Sequence, residues 1–505
     1  MIDSKKIVKN TVFMYMRMLL ILGVSLYTSR VVLDKLGVVD YGLYNVIFGL
    51  IGMISFLNGT LSIGTSRFLT FELGAQNYNR LKLTFGTAFW AHVILALLIF
   101  VLGETLGLWY VNTMLVVPPD RLFAVQVVYQ ISILSTCISI LQVPYTSIII
   151  AHEHMHVYAY IGIFDAIGRL FVVFLLNFLY ADKLILYAIL IFFIHFLVMC
   201  FYICFCYYLF DETKKILKPD SGILNNILKF SGWNIVANVS NTLLNEGVIL
   251  LFNLFFQPVV VASQAVSKQL SMGLMAFVNN VRVAVNPQIT KLYANGDYLA
   301  SKELTLRSAE LIFYLLLLLG VPCIMIMPTL LNIWLVEVPD YAVVFARLIV
   351  FQNILDNFNA AFYTPMTAAN KIKKNSFAAV LICFTQFLIL FILFKFGLGP
   401  LWARYIGILS CIIFSFLVKP YILYKDINYS LKELYFCIFH CLKVAIIVFF
   451  LSYLVYILIP QNNVWDSIAS AILSVVIVFC VVCFCIDKNI KLVVFYKIKE
   501  LFNIK

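Results

Sequence analysis

The sequence predicts an all-α integral membrane protein with about 14 transmembrane helices. Of its 505 residues, 63% are hydrophobic and only 12% are charged, whereas a soluble domain carries about 25% charged residues. The apolar residues form runs of roughly 20 or more, the length that a helix needs to cross a bilayer. These runs are about twice as long as a barrel strand and lack its alternation, so we predict helices.

Polar breaks divide the chain into two sets of seven apolar runs. The first seven lie at 10–33, 41–66, 83–110, 121–150, 158–180, 184–209 and 230–252. The second seven lie at 259–286, 307–333, 341–368, 376–396, 401–424, 433–459 and 464–486. The first run is too long for a signal peptide, contains Arg17 and has no small-residue cleavage pattern, so we expect a retained span.

Lys and Arg are unevenly distributed between alternate loops. With a cytoplasmic N-terminus, the cytoplasmic segments hold 24 Lys and Arg and the external loops hold five. Because short basic loops remain in the cytoplasm, we predict that both termini are cytoplasmic. The net charge of +12 then follows from membrane topology and attraction to anionic lipid, and no nucleic-acid partner is expected.

Neither the cysteines nor a His-rich segment predicts a metal site. Most of the 12 Cys lie in apolar spans, where thiols behave as small hydrophobic groups. The cluster of Cys480, Cys483 and Cys485 lacks a second set of polar ligands. The segment AHEHMH at 151–156 lies in a predicted loop, and only an extended strand would place its alternate His on one face. We therefore predict no metal and no other cofactor.

A similar polar segment occurs once in each half of the sequence. RFLTFELGAQNYNRLK at 67–82 follows the second span, and PQITKLYANGDYLASK at 287–302 follows the eighth. The spacing between these segments also aligns Lys9 with Lys229, which predicts that six helices repeat once. Parallel repeats are a recurrent transporter design, with the substrate site between the halves. Alternatively, the similarity reflects only the usual composition of cytoplasmic loops.

Glycines are frequent in the second span, at Gly42, Gly49, Gly52, Gly59 and Gly64. Small residues allow membrane helices to approach closely. We therefore expect tight helix packing along this span.

Longer motifs carry a family resemblance. Those of the first half are SRVVLDKLGVVDYGLYNV at 29–46, SRFLTFELGAQN at 66–77 and VPYTSIIIAHEHMHVYAY at 143–160. Those of the second half are KFSGWNI at 229–235, NPQITKLYANGD at 286–297, IWLVEVPDYAVVF at 333–345 and AANKIKKNS at 368–376. Over nearly its whole length the chain resembles the bacterial polysaccharide-biosynthesis exporters. These are the O-antigen and capsule flippase branch of the multidrug/oligosaccharidyl-lipid/polysaccharide exporter superfamily. The segment at 255–266 departs from the family pattern.

The resemblance implies a fold and an activity. Two pseudo-symmetric six-helix bundles, at 1–210 and 229–425, would surround a central cavity. A cytoplasmic linker at 211–228 would join them, and two extra helices with a basic cytoplasmic tail would follow at 426–505. The implied activity is transport of undecaprenyl-pyrophosphate-linked oligosaccharide from the inner to the outer leaflet of the bacterial cytoplasmic membrane by alternating access. The implied partners are this lipid, the bilayer, and a glycan polymerase with its assembly machinery.

Ionisable side chains inside the spans give the candidate site, because such residues are costly in lipid and usually face a cavity or each other. An anionic pyrophosphate would be bound by Arg through its fork and by Lys as a point charge. The predicted substrate-binding residues are Arg17, Arg169, Lys268, Arg282 and Arg347. The candidates for coupling transport to a H⁺ or Na⁺ gradient are Asp165, Glu246 and Asp356.

Structural alternatives remain open for these charges. Asp165 and Arg169 have the i,i+4 spacing of an internal salt bridge, and ion pairing with nearby Arg is an alternative for all three carboxylates. Arg282 lies close enough to the inner interface to extend its side chain toward water.

Two other functions remain open at this point. A drug antiporter of the same superfamily would normally have an acidic cavity and about 12 spans. A membrane-embedded oligosaccharide polymerase or glycosyltransferase would usually carry a sizeable external loop, whereas no predicted loop exceeds about 20 residues. We therefore predict a transporter rather than an enzyme.

Overall fold

The computed structural model describes residues 4–54, 56–152, 154–176, 178, 182–228, 242–369, 371–460 and 463–485. Over these ranges the regular structure is helical, which confirms the predicted fold class. In the first half the helices are α1 Ser4–Ile54, α2 Phe56–Gly74, α3 Tyr78–Leu102, α4 Leu108–Thr113, α5 Leu122–Ala151, α6 Met155–Leu175 and α7 Lys183–Leu209. In the second half they are α8 Val248–Phe255, α9 Pro258–Ala294, α10 Tyr298–Met325, α11 Met327–Trp334, α12 Ala342–Ala368, α13 Lys373–Lys395, α14 Trp402–Ile412, α15 Lys419–Ile427, α16 Leu431–Leu458 and α17 Val464–Cys485.

The predicted apolar runs coincide with these helices, and the seventh run is described from residue 242 onward. Ten segments in the described ranges are long and apolar enough to cross a membrane. Helices α9 and α12 are also long enough but contain more polar residues. Gly37 separates the first two predicted spans inside α1 with φ of 77°, a conformation that only glycine adopts without strain.

The two polar segments predicted to be equivalent have the same local structure. Gln76 and Gly296 occupy the left-handed region, with φ of 55° and 82°. One position later, the side chains of Asn77 and Asp297 each accept a 3.1 Å hydrogen bond from a backbone N–H in the first turn of the next helix. Each turn thus ends one helix and caps the next. The two helix–turn–helix corners are therefore equivalent in local structure, and the repeat of all six helices stays a prediction.

Close packing along the second span is confirmed on the glycine face of α1. A Cβ added at Gly42 would lie 2.2 Å from the carbonyl oxygen of Pro258. A Cβ added at Gly52 would lie 3.2 Å from Cγ of Glu246. The segment from 246 to 258 therefore approaches α1 at distances that larger residues would prevent.

Contacts group the chain into two compact units that are each discontinuous in sequence. Unit 1 comprises 1–266, 335–342 and 379–403, and unit 2 comprises 267–334, 343–378 and 404–505. The segment expected to be a linker contributes to unit 1, because Ile223 and Ile227 are buried against α2, α3 and α5. The predicted boundaries of the two six-helix bundles stay a prediction.

The two C-terminal helices belong to unit 2, where α16 and α17 pack on α10. Cys437 and Cys441 are buried in the hydrophobic core of this unit, as expected of thiols that act as small apolar groups. All twelve cysteines are free thiols. The opposite side of α17 exposes large apolar residues such as Trp465 and Phe484, which suits contact with lipid.

Three charged side chains connect α1 with the residues just before α5 and α7 in unit 1. Nε of Arg121, just before α5, donates a 2.8 Å hydrogen bond to Asp40 of α1. Its Nη1 donates a 2.6 Å bond to Asp182, just before α7. Burial alone raises the pKa of Asp182, but hydrogen bonds from Arg121 and from the N–H of Ile185 outweigh it and leave the pKa below its usual value.

We expect Arg121→Gln to destabilise the protein by roughly 3 kcal/mol, because the substitution leaves two partly buried carboxylates unpaired. Arg307→Gln is the matched control, since Arg307 pairs with Glu303 at an exposed site, and its loss should cost about 1 kcal/mol or less. Thermal unfolding in detergent measures both variants. Equal stability losses would contradict the structural role of Arg121.

Candidate functional site

Asp165, Arg169 and His195 form a polar cluster inside unit 1, about midway along α6 and α7. Nε of Arg169 donates a 3.1 Å hydrogen bond to Oδ2 of Asp165. Nη2 of Arg169 lies 2.8 Å from Nε2 of His195. The i,i+4 salt bridge, one of the alternatives that the sequence leaves open, is therefore present. His195 lies on another helix and was not predicted, because a single His in an apolar run does not identify its partner.

Two phenol rings flank this cluster. The rings of Tyr44 and Tyr187 meet edge to face, with centroids 5.0 Å apart. Both tyrosines interact electrostatically with Arg169. The guanidinium of Arg169 is therefore surrounded by a carboxylate, a His and two phenols contributed by α1, α6 and α7.

In the part of unit 2 that the structure describes, hydrogen bonds between polar side chains join helices α9 and α12. We call this contact the polar seam. Its pairs are Ser271 with Asn353 at 2.7 Å, Arg282 with Asn357 at 3.3 Å, and Asn286 with Thr364 at 3.1 Å. Residue numbers increase together along both helices, so the helices run parallel. These six polar residues, which lower the hydropathy of α9 and α12, thus pair with one another.

Arg282 is the charged member of the polar seam. Its guanidinium donates to the side-chain oxygens of Asn279 and Asn357, each at 3.3 Å. The amide nitrogen of Asn357 donates to the carbonyl of Ala309 at 2.8 Å, so its oxygen faces Arg282. Nε of Arg282 is buried and has no hydrogen-bond partner among the described residues. The side chain is held against α12 instead of extending to the interface, the alternative left open by the sequence.

A second group in unit 2 contains Asp356 and Lys419, which interact electrostatically. Nζ of Lys419 donates a 2.7 Å hydrogen bond to the carbonyl of Asn359. The side chain of Asn359 donates a 2.8 Å bond to Asp356. Asn359 therefore connects the two charges. Nζ also lies over the rings of Tyr363 and Phe414, at 5.0 and 5.2 Å.

Lys419 was not among the predicted site residues, although it lies within the predicted span at 401–424. Only 2% of its surface is exposed. A π-helical turn at Ile413–Val418 ends directly before it, and such turns insert an extra residue that changes which face a side chain occupies. The signal available in the sequence was a lysine inside an apolar run.

The contacts of Arg347 favour a structural role. Its Nε donates a 2.9 Å hydrogen bond to the carbonyl of Ile324, and Nη2 donates a 3.3 Å bond to that of Met325. These carbonyls lie at the C-terminal end of α10, where helical partners are missing. A cation at this position also interacts favourably with the helix dipole.

The remaining predicted residues lie on separate elements. Lys268 is half-buried on α9. Glu246 lies in the π-helical turn Leu243–Gly247, with its side chain over Gly52. Arg17 lies on α1, and its side chain falls outside the described residues. The roles assigned to these three residues stay predictions.

The His-rich segment is anchored by a carboxylate. Nε2 of His152 lies 2.5 Å from Oε1 of Glu212, and its ring stacks on Phe210 with centroids 4.2 Å apart. His152 is therefore tied to the segment after α7 instead of forming part of an open loop surface. Within the described ranges, no group of three His, Cys, Asp or Glu could hold a metal, and Glu153 lies outside these ranges.

Comparison with known proteins gives the fold. No protein-family model matches the chain, and no curated protein matches it. Among solved structures, it is similar to the lipid II flippase MurJ in an inward closed conformation, with 13% identity, a TM-score of 0.68, and coverage of 94% of this chain and 98% of that one. An inward-facing multidrug resistance MATE family transporter of the MOP superfamily matches with 13% identity, a TM-score of 0.67, and coverage of 81% and 96%.

A third structure is a MOP superfamily transporter from Pyrococcus furiosus whose binding pocket has reverse polarity. It matches with 13% identity, a TM-score of 0.59, and coverage of 84% of this chain and 97% of that one. These likenesses show that the chain has the fold of MOP-superfamily transporters. The predicted superfamily fold is therefore confirmed, whereas the polysaccharide-exporter branch stays a prediction.

We expect Lys419→Met to destabilise unit 2 by roughly 3 kcal/mol, because Asp356 loses its buried cation. Adding Asp356→Asn removes the carboxylate that has lost its partner. The double variant should therefore recover more than about 1 kcal/mol of the lost stability, because the two sites are coupled. Lys425→Met, on the exposed side of the same helix, is the control. Thermal unfolding of wild type, Lys419→Met, Asp356→Asn and the double variant gives the coupling. Strictly additive losses would show that the two charges do not stabilise each other.

Proposed function

We propose that this protein is a flippase, and not an enzyme, of the polysaccharide-exporter branch. It moves undecaprenyl-pyrophosphate-linked oligosaccharide, an O-antigen, capsule or exopolysaccharide unit, from the inner to the outer leaflet of the bacterial cytoplasmic membrane by alternating access. The motifs quoted above support the branch. The similarity to a lipid II flippase over 94% of the chain supports the class of activity.

The hydrogen bonding of Arg282 is the observation that best supports the proposed substrate class. Neutral amides hold its guanidinium, at 3.3 Å from both Asn279 and Asn357. An amide orients a guanidinium without cancelling its charge, so the side chain keeps affinity for an anion. A pyrophosphate accepts two parallel hydrogen bonds from such a fork. Lys268 precedes Arg282 by about four helical turns and therefore lies on a similar face of α9.

The alternative is a drug antiporter, for which carboxylates would bind a cationic substrate. Two of the three predicted carboxylates already have cationic neighbours, since Asp165 is paired with Arg169 and Asp356 interacts with Lys419. Asp356 also interacts electrostatically with Arg282, but the hydrogen bonds that hold this guanidinium in the described structure come from amides. The charge left to attract a substrate is therefore positive, which favours an anion.

We expect Arg282→Gln to slow the appearance of lipid-linked oligosaccharide in the outer leaflet at least tenfold, because the anion-binding guanidinium is lost. Cells depleted of the native protein and carrying each variant are treated with a membrane-impermeant glycan probe. Arg307→Gln, an exposed arginine outside the seam, should support the wild-type rate. Membrane levels of both variants are measured by immunoblot.

The same assay separates the competing functions. If depletion leaves precursor in the outer leaflet but unpolymerised, the protein acts in polymerisation and the flippase proposal fails. If depletion changes neither translocation nor polymerisation but sensitises cells to cationic drugs, the antiporter is the correct function.

A further inference from the structure

The contact between Arg169 and His195 determines a protonation state. A guanidinium has N–H donors and no acceptor. Because Nη2 of Arg169 lies 2.8 Å from Nε2 of His195, Nε2 must offer its lone pair. The imidazole is therefore neutral, with its proton on Nδ1. Nδ1 of His195 and Oδ1 of Asp165 are both buried without a hydrogen-bond partner among the described residues.

A proton and Arg169 consequently compete for the same lone pair. Protonated His195 would carry an N–H at Nε2 and a positive charge beside the guanidinium, and both effects would repel Arg169. Conversely, if Arg169 turned toward an anion, Nε2 would become free to accept a proton. Only one of the two cations can occupy this side of the imidazole at a time.

The groups around His195 allow the exchange to leave the Asp165 carboxylate with one cationic partner throughout. The charged groups that interact with it are Arg169 and Asp165, both on α6. Tyr44 on α1 and Tyr187 on α7 interact with Arg169 and are neutral phenols. When Arg169 leaves for an anion, a proton on His195 supplies Asp165 with a replacement cation. The Asp165 carboxylate thus has a cationic partner in both arrangements.

We propose that His195 is a proton-binding site, at which Arg169 and a proton exchange on Nε2, so that capture of a pyrophosphate by Arg169 is accompanied by uptake of one proton. The proton comes from the protonated buffer in the solvent and forms an N–H bond on His195, Arg169 stays protonated, and no bond of the substrate breaks. This inference rests on the proposed function, because it needs an anionic lipid to draw Arg169 away. It identifies the coupling ion as H⁺ and places its site on α7.

The test measures proton uptake by the purified full-length protein on binding undecaprenyl pyrophosphate, the lipid carrier without its glycan. Calorimetric titrations at neutral pH in two buffers of different ionisation enthalpy give the number of protons taken up. Wild type should take up about one proton for each lipid bound, as expected for exchange at a single lone pair. His195→Gln should take up none, because a Gln amide oxygen can accept from Arg169 but cannot hold a proton.

His92→Gln is the matched control. His92 is also a buried His of unit 1, but its Nδ1 lies 2.8 Å from the backbone carbonyl of Ala88. It should retain the wild-type uptake. His195→Asn repeats the test with a shorter amide if the Gln variant does not elute as a monodisperse protein on size exclusion.

Each outcome has a distinct meaning. The proton site would be wrong if wild type binds the lipid without taking up a proton, or if His195→Gln still takes one up. Either result would leave the flippase proposal standing. Failure of wild type to bind undecaprenyl pyrophosphate would overturn the proposed function and this inference with it. Uptake in wild type and His92→Gln that is lost in His195→Gln would establish the site.

Discussion

A polar side chain in a membrane-spanning helix must find its partner on neighbouring protein, because hydrocarbon offers none. The polar seam shows this constraint in unit 2. Ser271, Arg282 and Asn286 bind three side chains of α12, and this requirement sets the register of the two parallel helices. Once the register is set, Asn357 is oriented by its bond to Ala309, and its oxygen can meet only the guanidinium. The position of the charge therefore follows from the pairing of neutral residues.

Arg169 and Arg282, two of the arginines in the predicted spans, meet the constraint in different ways. Arg169 is neutralised by Asp165 on its own helix, which lowers the cost of placing either charge in the membrane. Arg282 has only amides as hydrogen-bond acceptors in the described structure. Oriented amides stabilise a charge without removing its field. An anion approaching Arg282 would displace no carboxylate. An anion approaching Arg169 has to compete with Asp165, and the Asp165 carboxylate then needs another cation as its partner.

The sequence was sufficient for the helices and for the repeated polar corner, because each depends on residues close in sequence or on a long periodic pattern. For Asp165 and Arg169, the i,i+4 spacing offered the salt bridge only as an alternative to a substrate role. It was not sufficient for Arg347, whose partners at Ile324 and Met325 belong to another helix. A charge in an apolar span indicates that it needs a partner, but it does not say which one. His195 and Lys419 illustrate the same limit, since their roles appear only when helices are placed side by side.

Irregular helical turns explain why the sequence does not predict which face of a span an ionisable side chain occupies. π-Helical turns occur at Gly103–Gly107, Leu243–Gly247 and Ile413–Val418, and each contains or directly precedes an ionisable residue. Such a turn widens the helix and gives up regular hydrogen bonding. In the first, the carbonyl of Gly103 accepts the backbone N–H of Leu108, five residues later, and also a 2.7 Å hydrogen bond from the hydroxyl of Tyr129. These spans therefore exchange regular backbone bonding for the placement of a charge.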